Sequence, residues 1–180
     1  MFKPYFKPLW LSLAILCLAG CDEPSTVESC DDPTQIQVCF SPDQNCTQML
    51  IDSINATQHS IYAQAYSFTS YPIAKALVAA SERGVNISIL VDKSDVDPTH
   101  FSVIPYLKQH NITLYVDDQV TIAHNKVMIF DNTSVETGSF NFTKAAQGKN
   151  AENMLIIHNK DIAEIYLKNW QKRLYVSQKI

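Results

Sequence analysis

Residues 73–92, IAKALVAASERGVNISILVD, decide the fold. Pro72 stands at the first helical position, where a missing N–H costs nothing, and the run after it reads as a helix ending at Gly84. Asn86 to Val91, NISILV, is then a compact apolar strand of the kind found in parallel sheets, whose strands are buried on both faces. The same alternation extends in both directions. Upstream, Gln35–Phe40 reads as a strand, Cys46–Ala56 as a helix through Met49, Leu50 and Ile54, and Ser60–Phe68 as a strand. Downstream come a helix over Phe101–Gln109, a strand over Ile112–Val116, two strands within residues 123–143, a short helix near Lys144, a strand in AENMLIIH and a terminal helix from Ile162 to about Val176. Strands alternating with helices predict a single α/β domain over residues 35–180, with a mixed sheet flanked by helices on both faces.

The first twenty residues stand apart from this pattern. Lys3 and Lys7 precede an apolar run from Leu9 to Leu18, too short to span a bilayer, and small residues follow; this is the pattern of a signal peptide over residues 1–20. Leu18-Ala19-Gly20-Cys21 resembles the lipobox of bacterial lipoproteins, which implies lipidation of Cys21 and a membrane anchor of roughly 0.8 kcal/mol per buried methylene. Residues 21–34, with Asp22, Glu23, Glu28, Asp31 and Asp32 among Pro and Ser, read as an acidic tether. In an oxidising compartment a disulfide between Cys39 and Cys46 is expected across the short CFSPDQNC loop, with Cys30 left over. The cysteine spacings match no common zinc pattern. Net charge is -4; setting aside Lys3, Lys7 and the five tether acids leaves 12 Lys/Arg against 13 Asp/Glu in the domain. That balance lacks the general basic footprint of a tight, nonspecific duplex binder.

The chemistry is concentrated in residues 123–143, AHNKVMIFDNTSVETGSFNFT. His124 and Lys126, two apart, project together at the entry of an apolar strand that Asp131 closes at a turn. The next strand brings Ser139 and Asn141, also two apart, beside them, and Glu152 opens the strand after that. An imidazole, an ammonium, a hydroxyl and a carboxamide in one patch suit phosphate: lysine and asparagine donate to phosphoryl oxygens, and a neutral histidine attacks phosphorus or passes protons. Lys126 occupies the place where a second metal ligand would stand, so no metal and no cofactor is expected. Lys144 and Lys149, just past Asn141, are either ordinary surface lysines or the lining of a polyanion groove, and Lys93 is a similar case. Tyr62, Tyr66 and Phe68 read as core aromatics, and His59, His100, His110 and His158 take no role.

His124-x-Lys126-x(4)-Asp131 followed by Gly138-Ser139-Phe140-Asn141 resembles the H-x-K-x(4)-D and G-S-x-N motifs of the phospholipase D superfamily. YSFTS near Tyr66 and VETGSFNFTKAA resemble its small bacterial endonuclease branch. The family site needs two such motifs. A second HNK, at His158–Lys160, has Ile165 at the aspartate spacing and no trailing Gly-Ser-x-Asn, so one copy per chain implies a homodimer with the site on its two-fold axis. The resemblance also implies a covalent phosphohistidine on His124 without a metal, with Lys126 and Asn141 on the equatorial oxygens, Ser139 adding a hydrogen bond, Glu152 holding an imidazole nitrogen, and a structural role for Asp131. The expected activity is cleavage of DNA or RNA phosphodiesters in the bacterial envelope, at the periplasmic face of the inner membrane or as a soluble secreted form. The alternatives are a phospholipid phosphodiesterase at the membrane surface and a silent interaction lipoprotein.

Overall fold

The computed structural model, which describes residues 34–180, holds eight strands and five helices, alternating except where β4, β5 and β6 follow one another. The leader, Cys21 and most of the acidic tether lie outside the described residues. In chain order the elements are β1 (Gln35–Ser41), α1 (Cys46–Ala56), β2 (Ser60–Ala65), α2 (Tyr71–Glu82), β3 (Asn86–Asp92), α3 (Ile104–Gln109), β4 (Thr113–Asp117), β5 (Val127–Phe130), β6 (Ser134–Gly138), α4 (Lys144–Gly148), β7 (Glu152–His158), α5 (Lys160–Val176) and β8 (Gln178–Lys179), with a 3-10 turn at Lys93–Val96. They form one mixed sheet in the order β1-β7-β6-β5-β2-β3-β4-β8. β2, β3 and β4 run parallel, and every other pairing is antiparallel.

The alternation of apolar side chains divides the core in two. Met128 and Phe130 of β5 join Leu50, Ile54, Leu77 and Leu107 on the face covered by α1 to α4. Val127 and Ile129 join Ala163 and Trp170 of α5 on the other face. The expected mixed sheet with helices on both faces is therefore present. Trp170 completes its burial by donating its indole N–H to Ala63 O (3.0 Å), which satisfies the polar end of a large apolar ring. The disulfide Cys39–Cys46 is formed, joining the end of β1 to the start of α1 with both cysteines buried.

Several boundaries move from their expected places for local reasons. β2 stops at Ala65 rather than Phe68, because Ser67 takes a left-handed conformation (φ 61°) and the N–H groups of Ser67 and Phe68 turn to Asp95. α3 begins at Ile104, with Pro105 in its first turn, and Phe101 stays outside it and exposed. α5 starts at Lys160 because the Asn159 side chain caps it, accepting from Ile162 N. The second HNK is therefore a strand end and a helix cap.

Candidate active site

His124 and Lys126 lie in the irregular segment just before β5, not inside it, and Ser139 and Asn141 lie just past the end of β6. Glu152 is the first residue of β7. The antiparallel order of β5, β6 and β7 brings these three ends to one end of the sheet, where all five residues line a pocket of about 530 Å³. Thr137, Asn125 and Tyr166 of α5 complete much of its wall.

The sequence Ser139-Phe140-Asn141-Phe142 sets its own geometry. Phe140 and Phe142 are fully buried, so in an extended chain Ser139 and Asn141 turn outward to the pocket. Phe142 O accepts from Thr69 N and Ser70 N (3.0 and 2.9 Å), tying this strand end to the loop after β2. Gly138 is required by close approach: a Cβ there would sit 2.3 Å from Asn153 O, the same carbonyl that accepts from Ser139 N and Phe140 N.

Lys126 is 6% exposed, and its ammonium donates to His124 O (2.7 Å) and contacts His124 Nδ1 (3.0 Å). Since an ammonium only donates, Nδ1 accepts, and a neutral His124 carries its proton on Nε2. Burial pulls the Lys126 pKa below its ordinary value, and the negative charge of Glu152 opposes that pull. Glu152 does not hold the imidazole within this chain. Its carboxylate accepts from Ser139 Oγ (2.6 Å) and Asn150 Nδ2 (2.9 Å), and Ser139 Oγ accepts in turn from Asn153 N (3.1 Å). Asn141 presents a buried Oδ1 with no protein partner among the described residues.

The remaining candidates divide. Asp131 is at the opposite end of the sheet, where its carboxylate accepts from the backbone N–H groups of Gln58, His59 and Ser60 at 2.9, 2.7 and 2.9 Å. Burial alone would raise its pKa, but these three bonds outweigh it and leave the pKa lowered. With Asp131 and Asn132 both at positive φ (50° and 57°), the β5–β6 turn is of the kind Asp and Asn tolerate. Lys144 and Lys149 are exposed at the two ends of α4 and do not line the pocket, and Lys93 donates to Val120 O (3.4 Å).

Tyr66 differs from its reading as a core aromatic. It is half-buried, and its ring meets the His124 ring at 4.5 Å between centroids, tilted by 49°, with the Lys126 ammonium 5.0 Å from its centre. Phe68 is fully buried and Tyr62 packs on Trp170, as core aromatics do. The sequence signal for Tyr66 was its place at the C-terminal end of a strand in a partly parallel sheet, where ligand sites gather.

A histidine, a nearly buried ammonium, a hydroxyl and a carboxamide thus converge on one open pocket at the end of an α/β sheet. The chain belongs to the phospholipase D-like family: the family described as "Cardiolipin synthase, PLD-like domain" matches residues 50–174. A protein named phospholipase D from Rickettsia felis is 44% identical over 128 residues, 71% of this chain and 64% of that protein, so the chain spans a little under two thirds of that relative's length. The phospholipase D family member Nuc from Salmonella typhimurium superposes with a TM-score of 0.77 at 39% identity, covering 82% of this chain and 99% of that one. NucT from Helicobacter pylori shares the fold, with a TM-score of 0.76 at 24% identity over 82% of this chain and 100% of that one.

Proposed function

We infer that the protein is a metal-independent phosphodiesterase, an endonuclease that cuts DNA or RNA and works as a homodimer. The observation that carries this reading is the convergence of Lys126, Asn141 and His124 on one open pocket. His124 Nε2 attacks phosphorus; the N–P bond forms as the bond to the leaving oxygen breaks, and that oxygen takes the Nε2 proton of the partner subunit's His124, which enters the step as the imidazolium and leaves it neutral. Water then attacks the phosphohistidine. Its proton passes to the partner subunit's His124, the N–P bond breaks, and both imidazoles return to their starting forms. Lys126 and Asn141 donate to the equatorial oxygens, so their charge and dipoles stabilise the transition state. A phosphoryl oxygen arriving at Lys126 competes with His124 Nδ1 for its protons, freeing the imidazole to take the nucleophilic tautomer. Glu152 holds Ser139 in place, and its charge favours the protonated form of Lys126.

A second copy is supported by an apolar stripe on β1. Ile36, Val38 and Phe40 are 53%, 47% and 57% exposed on the α5 side of the sheet, beside β7. Phe40 pairs with Asn153, next to Glu152 of the pocket, so burying the stripe against a partner brings that partner to the site's edge.

A phospholipid substrate is favoured by the names of the Rickettsia relatives and by the anchor expected at Cys21. The resemblance of YSFTS and VETGSFNFTKAA to the small bacterial endonuclease branch favours nucleic acid. β1 begins at Gln35 opposite His158 and ends at Ser41 opposite Glu152, so the tether joins the end of the sheet away from the pocket. The six rises from Gln35 to Ser41 put the two ends about 20 Å apart. The test incubates the protein and His124→Asn with plasmid, single-stranded DNA, RNA and phospholipid vesicles in EDTA. Nucleic-acid cleavage lost in the variant supports the reading, and headgroup release without cleavage overturns it in favour of the lipid substrate.

A further inference from the structure

Two buried carboxylates at the end of β3 grip the backbone on either side of the His124–Tyr66 contact. Asp92 and Asp95 are 3% and 5% exposed, and neither lines the pocket. Asp92 Oδ2 accepts from Ala123 N at 2.7 Å, the amide immediately before His124. Its other oxygen accepts from Ser94 N (2.9 Å) and Ser94 Oγ (2.6 Å), an Asx-type turn that locks the carboxylate's own orientation. Asp95 accepts from Ser67 N (3.0 Å) and Phe68 N (2.8 Å), the amides immediately after Tyr66, and its carbonyl accepts from Ser102 Oγ (2.6 Å). Ser67 sits at φ 61°, a conformation that a serine keeps only where surrounding bonds demand it.

Each grip acts on a segment with no ladder of its own at that point. Residues 122–126 lie outside any strand, and β2 ends at Ala65. An imidazole on an irregular segment has no sheet register to set its direction, so its direction depends on what holds the backbone before it and what packs against its ring. Asp92 supplies the first. Tyr66, aimed by Asp95, supplies the second and places its ring face toward the Lys126 ammonium, a favourable charge–quadrupole contact.

We propose that Asp92, Asp95 and Tyr66 are positioning residues that hold His124 and Lys126 in their reactive orientation while touching no substrate themselves. The inference rests on the proposed phosphodiesterase reading for its kinetic test and on geometry alone for its spectroscopic one. Asp131 is the built-in control, because it binds three backbone amides by the same chemistry at the far end of the sheet.

The experiment takes the full chain in detergent with labelled histidine rings and compares it with Asp92→Ala, Asp95→Ala, Tyr66→Leu and Asp131→Ala. A His124→Asn chain assigns the His124 signal among the five histidines. Ring-proton shifts, thermal melts and hydrolysis of bis(p-nitrophenyl) phosphate are measured on each. The Tyr66 ring current shifts the His124 ring protons, and Tyr66→Leu defines the unstacked value. Asp92→Ala and Asp95→Ala are expected to move His124 toward that value and to lower kcat by about 10²-fold with KM nearly unchanged, the effect of a misplacement near 1 Å. Asp131→Ala is expected to lower Tm while keeping both the shift and kcat. Where Asp92→Ala does not fold, Asp92→Asn is read instead. Its single acceptor oxygen serves either Ser94 or Ala123, so partial loss of shift and kcat is expected. Retention of the native His124 shift and kcat in the Asp92 and Asp95 variants, with only Tm reduced, overturns the proposal. If the unmodified chain hydrolyses no phosphodiester, the proposed function fails and the ring shifts alone decide the positioning roles.

Discussion

Changing Glu136 to Gln removes an ionisable group from the middle of the core, and the consequence can be worked through. Glu136 lies on β6 between Met128 of β5 and Ile156 of β7, fully buried, and neither carboxylate oxygen has a protein partner among the described residues. Burial pushes its pKa well above the ordinary 4.5, because the charged form has no water and no donor there. The folded state therefore keeps a proton that the unfolded chain releases. The stability this contributes is fully present below the unfolded pKa. It falls by about 1.4 kcal/mol per pH unit as pH rises from there to the folded pKa. In urea unfolding from pH 5 upward, unmodified protein should lose stability relative to Glu136→Gln along that slope. Asp95, whose pKa burial raises despite its amide bonds, slopes the same way but is common to both proteins and cancels. Glu136→Met should add about 1–3 kcal/mol even at pH 5, because it removes the unpaired polar group that Gln retains. Parallel stability curves for the unmodified and Gln proteins across this range would refute the reasoning.

Three further outcomes follow from the site and its supports. Glu152→Gln removes the charge that opposes the burial of Lys126, so the alkaline limb of the pH–kcat profile should move to lower pH; an unmoved limb would separate it from Lys126 ionisation. Gly138→Ala places a Cβ 2.3 Å from Asn153 O and should cost on the order of 2–4 kcal/mol in thermal unfolding while sharply lowering kcat, because the displaced β6–β7 junction carries both Ser139 and Glu152. Reducing Cys39–Cys46, which closes a loop with a sequence separation of 7, should lower stability by roughly 2–3 kcal/mol in denaturant titrations with and without a reductant.

What was legible in the sequence was whatever short-range pattern dictates. The helix Tyr71–Glu82 that stops just before Gly84, the apolar strand after it and the cysteine pair flanking the Ser41–Pro42 turn each follow from neighbours in the chain. The site residues could be read because S-F-N-F alternation buries two phenylalanines and turns Ser139 and Asn141 out, and because His124 and Lys126 are close in sequence as well as in space. The missing parts depend on contacts across the chain. Tyr66 meets His124 only because β2 pairs with β5, and Asp92 reaches Ala123 across 31 residues. The burial of Glu136 carries no signal in its neighbours and follows from the sheet order, which places β6 between β5 and β7. β8 was missed because two residues carry no periodicity; it exists where the chain returns past α5 to pair with β4. Glu152 was placed correctly at the pocket, but its bonds to Ser139 and Asn150 depend on loop geometry that spacing does not encode.

The most direct test of the central claim looks for the covalent intermediate. Protein in EDTA is mixed with a short single-stranded DNA, quenched in alkali during turnover, digested and analysed by mass spectrometry. A phosphohistidine adduct on the peptide bearing His124, absent from peptides bearing His59, His100, His110 and His158 and lost together with cleavage in His124→Asn, is the predicted result. Cleavage that continues unchanged in His124→Asn, with no adduct on the His124 peptide, would contradict the account.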